Sequence, residues 1–185
     1  PKKTKFILNK ASKIKLLNNK FIIYLEKIKK LINYNNKNFI IMFHFDEKWD
    51  RSILSKNEFK VFFERLFNLK KSIIIVTRGL KSNRYEKLFY KISNLKKLSN
   101  NLYSSIKIKN LFFIKKSLYA ELSAVLSICD IIITPHGGLS HSSALFDKKL
   151  IDLIEIDRKT FYRKWLPLNN KMKQLNINDT DKVLK

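Results

Sequence analysis

From residue 38 onward, short apolar runs alternate with stretches of helical period, and few chain folds tolerate that alternation. Phe39 to Phe45 is a continuous apolar run, as expected of a strand buried on both faces. Ser55 to Leu69 places Phe59, Phe62, Phe63, Leu66 and Phe67 on one helical side. Ser55 and Glu58 form a capping-box pair at its start. Ser72 to Thr77 is a second strand, Asn83 to Leu98 a helix, and Leu111 to Ile114 a third strand. A helix capped by Ser117 runs to about Ile128, a fourth strand covers Asp130 to Thr134, and a short helix spans Leu139 to Phe146. Leu150 to Glu155 is the fifth strand. Strands and helices in this order predict an α/β fold: a Rossmann-like parallel sheet with helices on both faces. Ligands of such sheets bind beyond the carboxyl ends of the strands, which directs attention to the loops starting near Asp46, Arg78, Lys115, Pro135 and Ile156.

Three segments are expected: a basic stretch and linking helix over 1–37, the α/β unit over 38–160, and an extension over 161–185. In the first, Phe21, Leu25, Ile28 and Ile32 mark one face of a helix. Packing of that face on the domain is the plain reading. Its Lys content also allows a helix lying on an anionic membrane. No apolar run reaches the length of a membrane span and no signal peptide is apparent. The lone Cys129 follows a helical apolar pattern, which suits a small buried hydrophobe in a reducing, cytoplasmic compartment.

The charge is +24, with 39 basic residues against 15 acidic ones, so anions of some kind are attracted to this chain. The excess is mostly Lys, alongside abundant Asn and Ile, which AT-rich codons favour. Part of the charge is therefore background. A nucleic-acid reader would use more Arg and interleave aromatics on one exposed face. Binding to nucleic acid stays an alternative function, not the first one.

The chain has three Gly, three Pro and three His, yet 135–141 holds two Gly, one Pro and two His. Pro135 lacks the N–H that a strand needs. Gly137 and Gly138 allow positive φ and a bare backbone approach. The helix that follows turns its unpaired N–H groups toward the carboxyl edge, a ready anion site. Ser140 can add a hydroxyl and His141 an imidazole. A tight turn with satisfied histidines is the plain alternative. P-loop, dinucleotide and nucleophile-elbow patterns are all absent. The two His lack a third ligand, so no metal is expected. In the loop after the first strand, Lys48 is a point charge suited to a diphosphate, with Asp46 and Glu47 as ion-pair partners. Trp49 serves as a core anchor or a stacking surface for a base. His44 reads as a core histidine.

Together the two loops resemble the C-terminal domain of family 9 glycosyltransferases, the lipopolysaccharide heptosyltransferase group. Asp46-Glu47-Lys48-Trp49 is similar to that family's D-x-K-x-W signature. The run from His136 to Leu145 is similar to D-T-G-x-x-H-x-x-A-A, and SLYAELSAVLSICD (117–130) to S-L-x-E-L-A-x-L-I-x-x-A-D. The likeness spans roughly 38–156. It implies one half of a GT-B architecture that binds a nucleoside-diphosphate sugar as substrate, with no metal or other cofactor. It further implies an inverting transfer of a sugar, possibly heptose in kind, to a cell-surface glycan or lipid acceptor. By this resemblance Lys48, His136, Gly137, Gly138, Leu139, Ser140 and His141 contact the donor diphosphate. Glu86, with Arg78, contacts the nucleotide. The family's Asp and Thr stand here as His136 and Gly137, which changes the charge expected at the diphosphate. The family's catalytic base lies in an N-terminal acceptor domain, for which 1–37 is too short, so a fragment or a non-catalytic sugar-phosphate-binding domain is also considered. The implied location is the cytoplasm, with peripheral contact at an anionic inner membrane.

Overall fold

The computed structural model describes residues 19–35, 37–69, 71–166 and 171–184. The basic N-terminal stretch up to residue 18 lies outside them. Helix α1 (Asn19–Leu31) leads into β1 (Phe39–His44), a 3-10 turn (Glu47–Arg51), α2 (Lys56–Phe67), β2 (Ser72–Thr77) and α3 (Glu86–Ser93). A hairpin, β3 (Leu95–Lys97) and β4 (Leu102–Ser105), precedes β5 (Leu111–Ile114) and α4 (Tyr119–Ile128). Then come β6 (Ile131–Pro135), α5 (Gly138–Leu145), β7 (Lys149–Ile154), a second 3-10 turn (Ile156–Arg158), α6 (Lys159–Arg163), β8 (Met172–Asn176) and α7 (Thr180–Val183).

Among the described residues, eight strands form one sheet in the order β3-β4-β5-β2-β1-β6-β7-β8. From β5 to β8 all neighbours are parallel, as in the pairs Phe39↔Ser72 and Ile41↔Ile131, whereas β3-β4 and β4-β5 are antiparallel. Strand parity divides the core. Ile41, Phe43, Phe45, Ile74, Val76 and Phe113 meet α2 and α3 on one face. Ile40, Met42, Ile75, Ile114, Ile132 and Leu150 meet α1 and α4 on the other. Two buried faces explain why these strands read as unbroken apolar runs. The α/β fold with helices on both faces is thus as the sequence predicts.

Several boundaries differ. The sheet is mixed, not wholly parallel, because the expected helix over 83–98 stops at Ser93. Asn94 adopts φ 45°, the left-handed conformation that ends helices, and its carbonyl accepts from Ile106 N–H. The chain then turns back as the β3-β4 hairpin, an edge whose Lys96 and Lys97 discourage further strand pairing. Ser117 does not cap α4. Its hydroxyl donates to Ile114 O, and Glu121 instead accepts from Leu118 N–H at 2.6 Å. The capping box of Ser55 and Glu58 is present in both halves. Helix α1 packs on α4 through Phe21 and Ile28, with Ile32 buried beyond its end. The face formed by Phe21, Ile28 and Ile32 is therefore covered. Cys129 is fully buried, and desolvation pushes its thiol up to about 12. Among the described residues no helix is long and apolar enough to cross a membrane.

Candidate functional site

The chain builds the sheet leftward from β1 through β2 to β5, then returns to the other side of β1 for β6, β7 and β8. The switch point is the gap between β1 and β6. Loops leaving these two strands part to opposite sides there and open a crevice at their carboxyl ends. The two segments singled out in the sequence are those two loops. A cleft of about 300 Å³ lies there, lined by His44, Asp46, Lys48, Tyr119, Gly138 and Leu139 among others. A wider concavity of about 650 Å³ lies at the opposite edge, around Asn38, Leu69, Ser72 and Asn110. Two of its polar side chains are paired within it: Ser72 Oγ donates to Leu69 O, and Asn110 Nδ2 to Ser72 O.

Lys48 is placed by what lies beneath it. Trp49 is fully buried against Phe43, Phe59 and Phe62, and its indole N–H donates to His44 O at 3.0 Å. That fixes the 3-10 turn and excludes Trp49 from stacking on a ligand base. Asp46 caps the turn by accepting from Lys48 N–H at 3.0 Å. His44 is buried, with Nδ1 2.9 Å from Thr77 Oγ1 and Nε2 3.5 Å from Asp46 Oδ2. Burial of Asp46 works against ionisation, but the hydrogen bond and charge of His44, then Lys48, hold its carboxyl below the usual range. The Lys48 ammonium makes its hydrogen bond not to Asp46 or Glu47 but across the crevice, to His136 O at 2.9 Å.

The loop from β6 rests on Asp152, an aspartate with no exposed surface in the middle of β7. One of its oxygens lies 2.7 Å from His136 Nδ1 and accepts from Gln174 Nε2 at 3.0 Å. The other accepts from Ser140 Oγ at 2.7 Å, and Ser140 Oγ in turn accepts from Gly137 N–H at 3.2 Å. The His136 ring also packs on Tyr162, centroids 4.5 Å apart. His136 and Ser140 thus act beneath the loop and set its shape. Of the residues expected at a diphosphate, Lys48, Gly138 and Leu139 line the cleft, and Ser142 joins them. Gly138, Leu139 and Ser140 are the first helical residues of α5, whose N–H groups have no acceptor inside the helix.

Neither glycine adopts the left-handed conformation. Gly137 is extended, at φ 166°, a conformation open to any residue. Its reason is space: a Cβ there would lie 1.8 Å from Lys48 Nζ. A Cβ on Gly138 would meet nothing within 4 Å, and Gly138 lines the cleft. His141 is exposed on α5, its ring 5.6 Å from that of His136. Desolvation, then the charges of His136 and Lys48, lower its pKa below 6.5 despite the opposing pull of Asp152.

Arg78 and Glu86 are brought together with each other and not to the cleft. The guanidinium lies 3.2 Å from Glu86 Oε2, and Tyr90 O–H donates to Glu86 Oε1 at 2.5 Å. Both oxygens of the expected nucleotide contact are therefore engaged in a mostly buried cluster. Among the described residues no group of three or more His, Cys, Asp or Glu is placed to hold a metal. Sequence reasoning missed Asp152, Gln174, Tyr119 and Tyr162. Asp152 had a signal: a carboxylate inside the strand Lys-Leu-Ile-Asp-Leu-Ile must find partners or remain costly to bury.

No protein-family model matches the chain, and no curated protein matches it by sequence. Solved structures do match it in shape. ADP-heptose LPS heptosyltransferase II of E. coli aligns with TM-score 0.60 and 12% identity, over 87% of this chain and 49% of that one. A family 9 glycosyl transferase of Veillonella parvula aligns with TM-score 0.60 and 11% identity, over 86% of this chain and 42% of that one. The N-terminal domain of trehalose-6-phosphate phosphatase from Candida albicans aligns with TM-score 0.56 and 12% identity, over 93% and 38%. The chain thus spans about half the length of the first of these, or less of the others. At such identities the likeness is one of fold: an α/β sheet of the kind that GT-B glycosyltransferases contain.

Proposed function

We propose that this chain is the donor-binding domain of an inverting glycosyltransferase, corresponding to the C-terminal half of a family 9 enzyme. The observation that carries the reading is the meeting of Lys48 and the α5 N-terminus across the crevice between β1 and β6. A cation faces a helix start at a switch point, and a diphosphate satisfies both. Ligand phosphate would draw the ammonium from His136 O and accept from the N–H groups of Gly138 and Leu139.

In the transfer, an acceptor hydroxyl forms a bond to the anomeric carbon while the bond from that carbon to the diphosphate oxygen breaks. The electron pair leaves with the nucleoside diphosphate, and Lys48 with the helix N-terminus stabilises the added charge. No metal is required by this arrangement of cation and amides. By the family 9 resemblance, the base that takes the hydroxyl proton is supplied by an acceptor domain and not by the residues of this cleft. Heptose as the sugar and a lipopolysaccharide-type acceptor are the finer parts of the proposal, supported by the motifs of Asp46–Trp49 and His136–Leu145. Calorimetry with nucleoside diphosphates tests the core of it. Lys48→Ala is expected to weaken binding about 10- to 100-fold, the value of a ~1.5–3 kcal/mol hydrogen bond to a charged group. If no nucleoside diphosphate binds the native chain, the proposal fails.

A further inference from the structure

The segment after β7 has an unusual outer surface. Ile156, Phe161, Trp165 and Leu166 are 57%, 60%, 60% and 41% exposed, within eleven consecutive residues. Interleaved with them are Arg158, Lys159, Arg163 and Lys164, all exposed, against one acidic residue, Asp157. Phe161 lies on α6, and Trp165, two residues past its end, is tied back to it by donating its N–H to Tyr162 O at 3.0 Å.

The backbone is held in place from below. Tyr162 is buried, donates to Glu155 Oε2 at 2.6 Å and packs on His136. Arg51 Nη1 lies 3.3 Å from Glu155 Oε1 and 3.4 Å from the Tyr162 hydroxyl. The one aromatic that faces inward is fully engaged, and the two that face outward have no core to enter.

We propose that this segment is a membrane-docking surface for an anionic bilayer. Trp, Phe, Ile and Leu enter the boundary between headgroups and acyl chains, while the four cations meet lipid phosphates. The alternation decides against a protein partner, since interface cores are depleted in Lys and gather their apolar groups together. Ile156 and Leu166 decide against nucleic acid, because aliphatic side chains give bases nothing to stack on. This surface differs from α1, whose apolar face α4 covers. It adjoins the crevice through Tyr162 and His136, so docking holds the carboxyl edge of the sheet near the bilayer. The inference goes beyond the transferase reading and does not rest on it.

The chain supplies its own probe. Of its two tryptophans, Trp49 is fully buried and Trp165 is exposed. Vesicles of mixed phosphatidylglycerol and phosphatidylcholine should shift Trp165 emission to the blue, and vesicles of phosphatidylcholine alone should not. In co-sedimentation, Phe161→Ser with Trp165→Ser should weaken binding at least about tenfold, and Lys159→Glu with Lys164→Glu by a similar factor. These side chains are exposed, so circular dichroism of the variants should match the native chain. Sedimentation with vesicles while Trp165 emission stays unchanged would overturn the proposal, because the diffuse +24 charge would then suffice. Quenching of Trp165 by single-stranded oligonucleotides with no response to vesicles would overturn it in favour of nucleic acid. Nucleotide takes no part in either readout, so failure of donor binding leaves this result standing.

Discussion

Gly137 is a glycine because of a lysine on the far side of the crevice. Its backbone is extended and unstrained, so Gly137→Ala should change the melting temperature little, the flexible Lys48 tip moving aside. Nucleotide affinity should nonetheless fall nearly as far as in Lys48→Ala, and the double variant should be no worse than Lys48→Ala alone, as for two residues serving one contact. His141 gives a second test. Its pKa is lowered in the folded chain, so the unfolded chain binds the extra proton first as pH falls. Stability should decline as pH drops below about 6.5 toward the folded value, and His141→Gln should flatten that decline. By NMR, Lys48→Ala should raise the His141 midpoint, since a repelling charge is gone. The placing of Lys48, Gly138 and Leu139 at the cleft was legible because their chemistry is local: a cation, a bare backbone and a helix start. Asp152 was not. Its role comes from β7 lying beside β6, a neighbour relation that no local spacing encodes.

At the scale of elements, α2 and the 3-10 turn form one unit, with Phe59 edge-on to Trp49 at 5.1 Å and stacked on Tyr85 at 3.9 Å. Phe59→Ala should cost about 3–5 kcal/mol in urea unfolding, the usual cavity cost of a core aromatic. It should also weaken nucleotide binding, because the packing that seats Lys48 loosens. The strands and α2 were legible since burial on two faces and a capping box are written in consecutive residues. The β3-β4 hairpin was not, because Leu95 to Leu98 continues an acceptable helical composition and only the αL turn at Asn94 breaks it. Arg78, just beyond β2, and Glu86, at the start of α3, form an ion pair that no local spacing announces.

Across the whole molecule, the +24 charge acts at a distance even where no side chain touches a ligand. An anionic nucleotide should associate more slowly as salt rises, by roughly tenfold or more between low and high ionic strength, with little change in its dissociation rate. Stopped-flow measurement over a salt series checks this, and a dissociation rate carrying most of the salt effect would contradict it. The class of fold was legible at this scale because alternating elements admit few topologies. The position of the cleft followed from the same topology, since the connections leaving the parallel neighbours β1 and β6 depart to opposite sides.

The ammonium of Lys48 occupies the volume that a side chain at position 137 would need. Descent must then treat the two positions as one. A larger residue at 137 is compatible with folding, since the lysine tip can move aside, but it displaces the ammonium; under the proposed role, such an exchange would register in ligand affinity before it registers in stability.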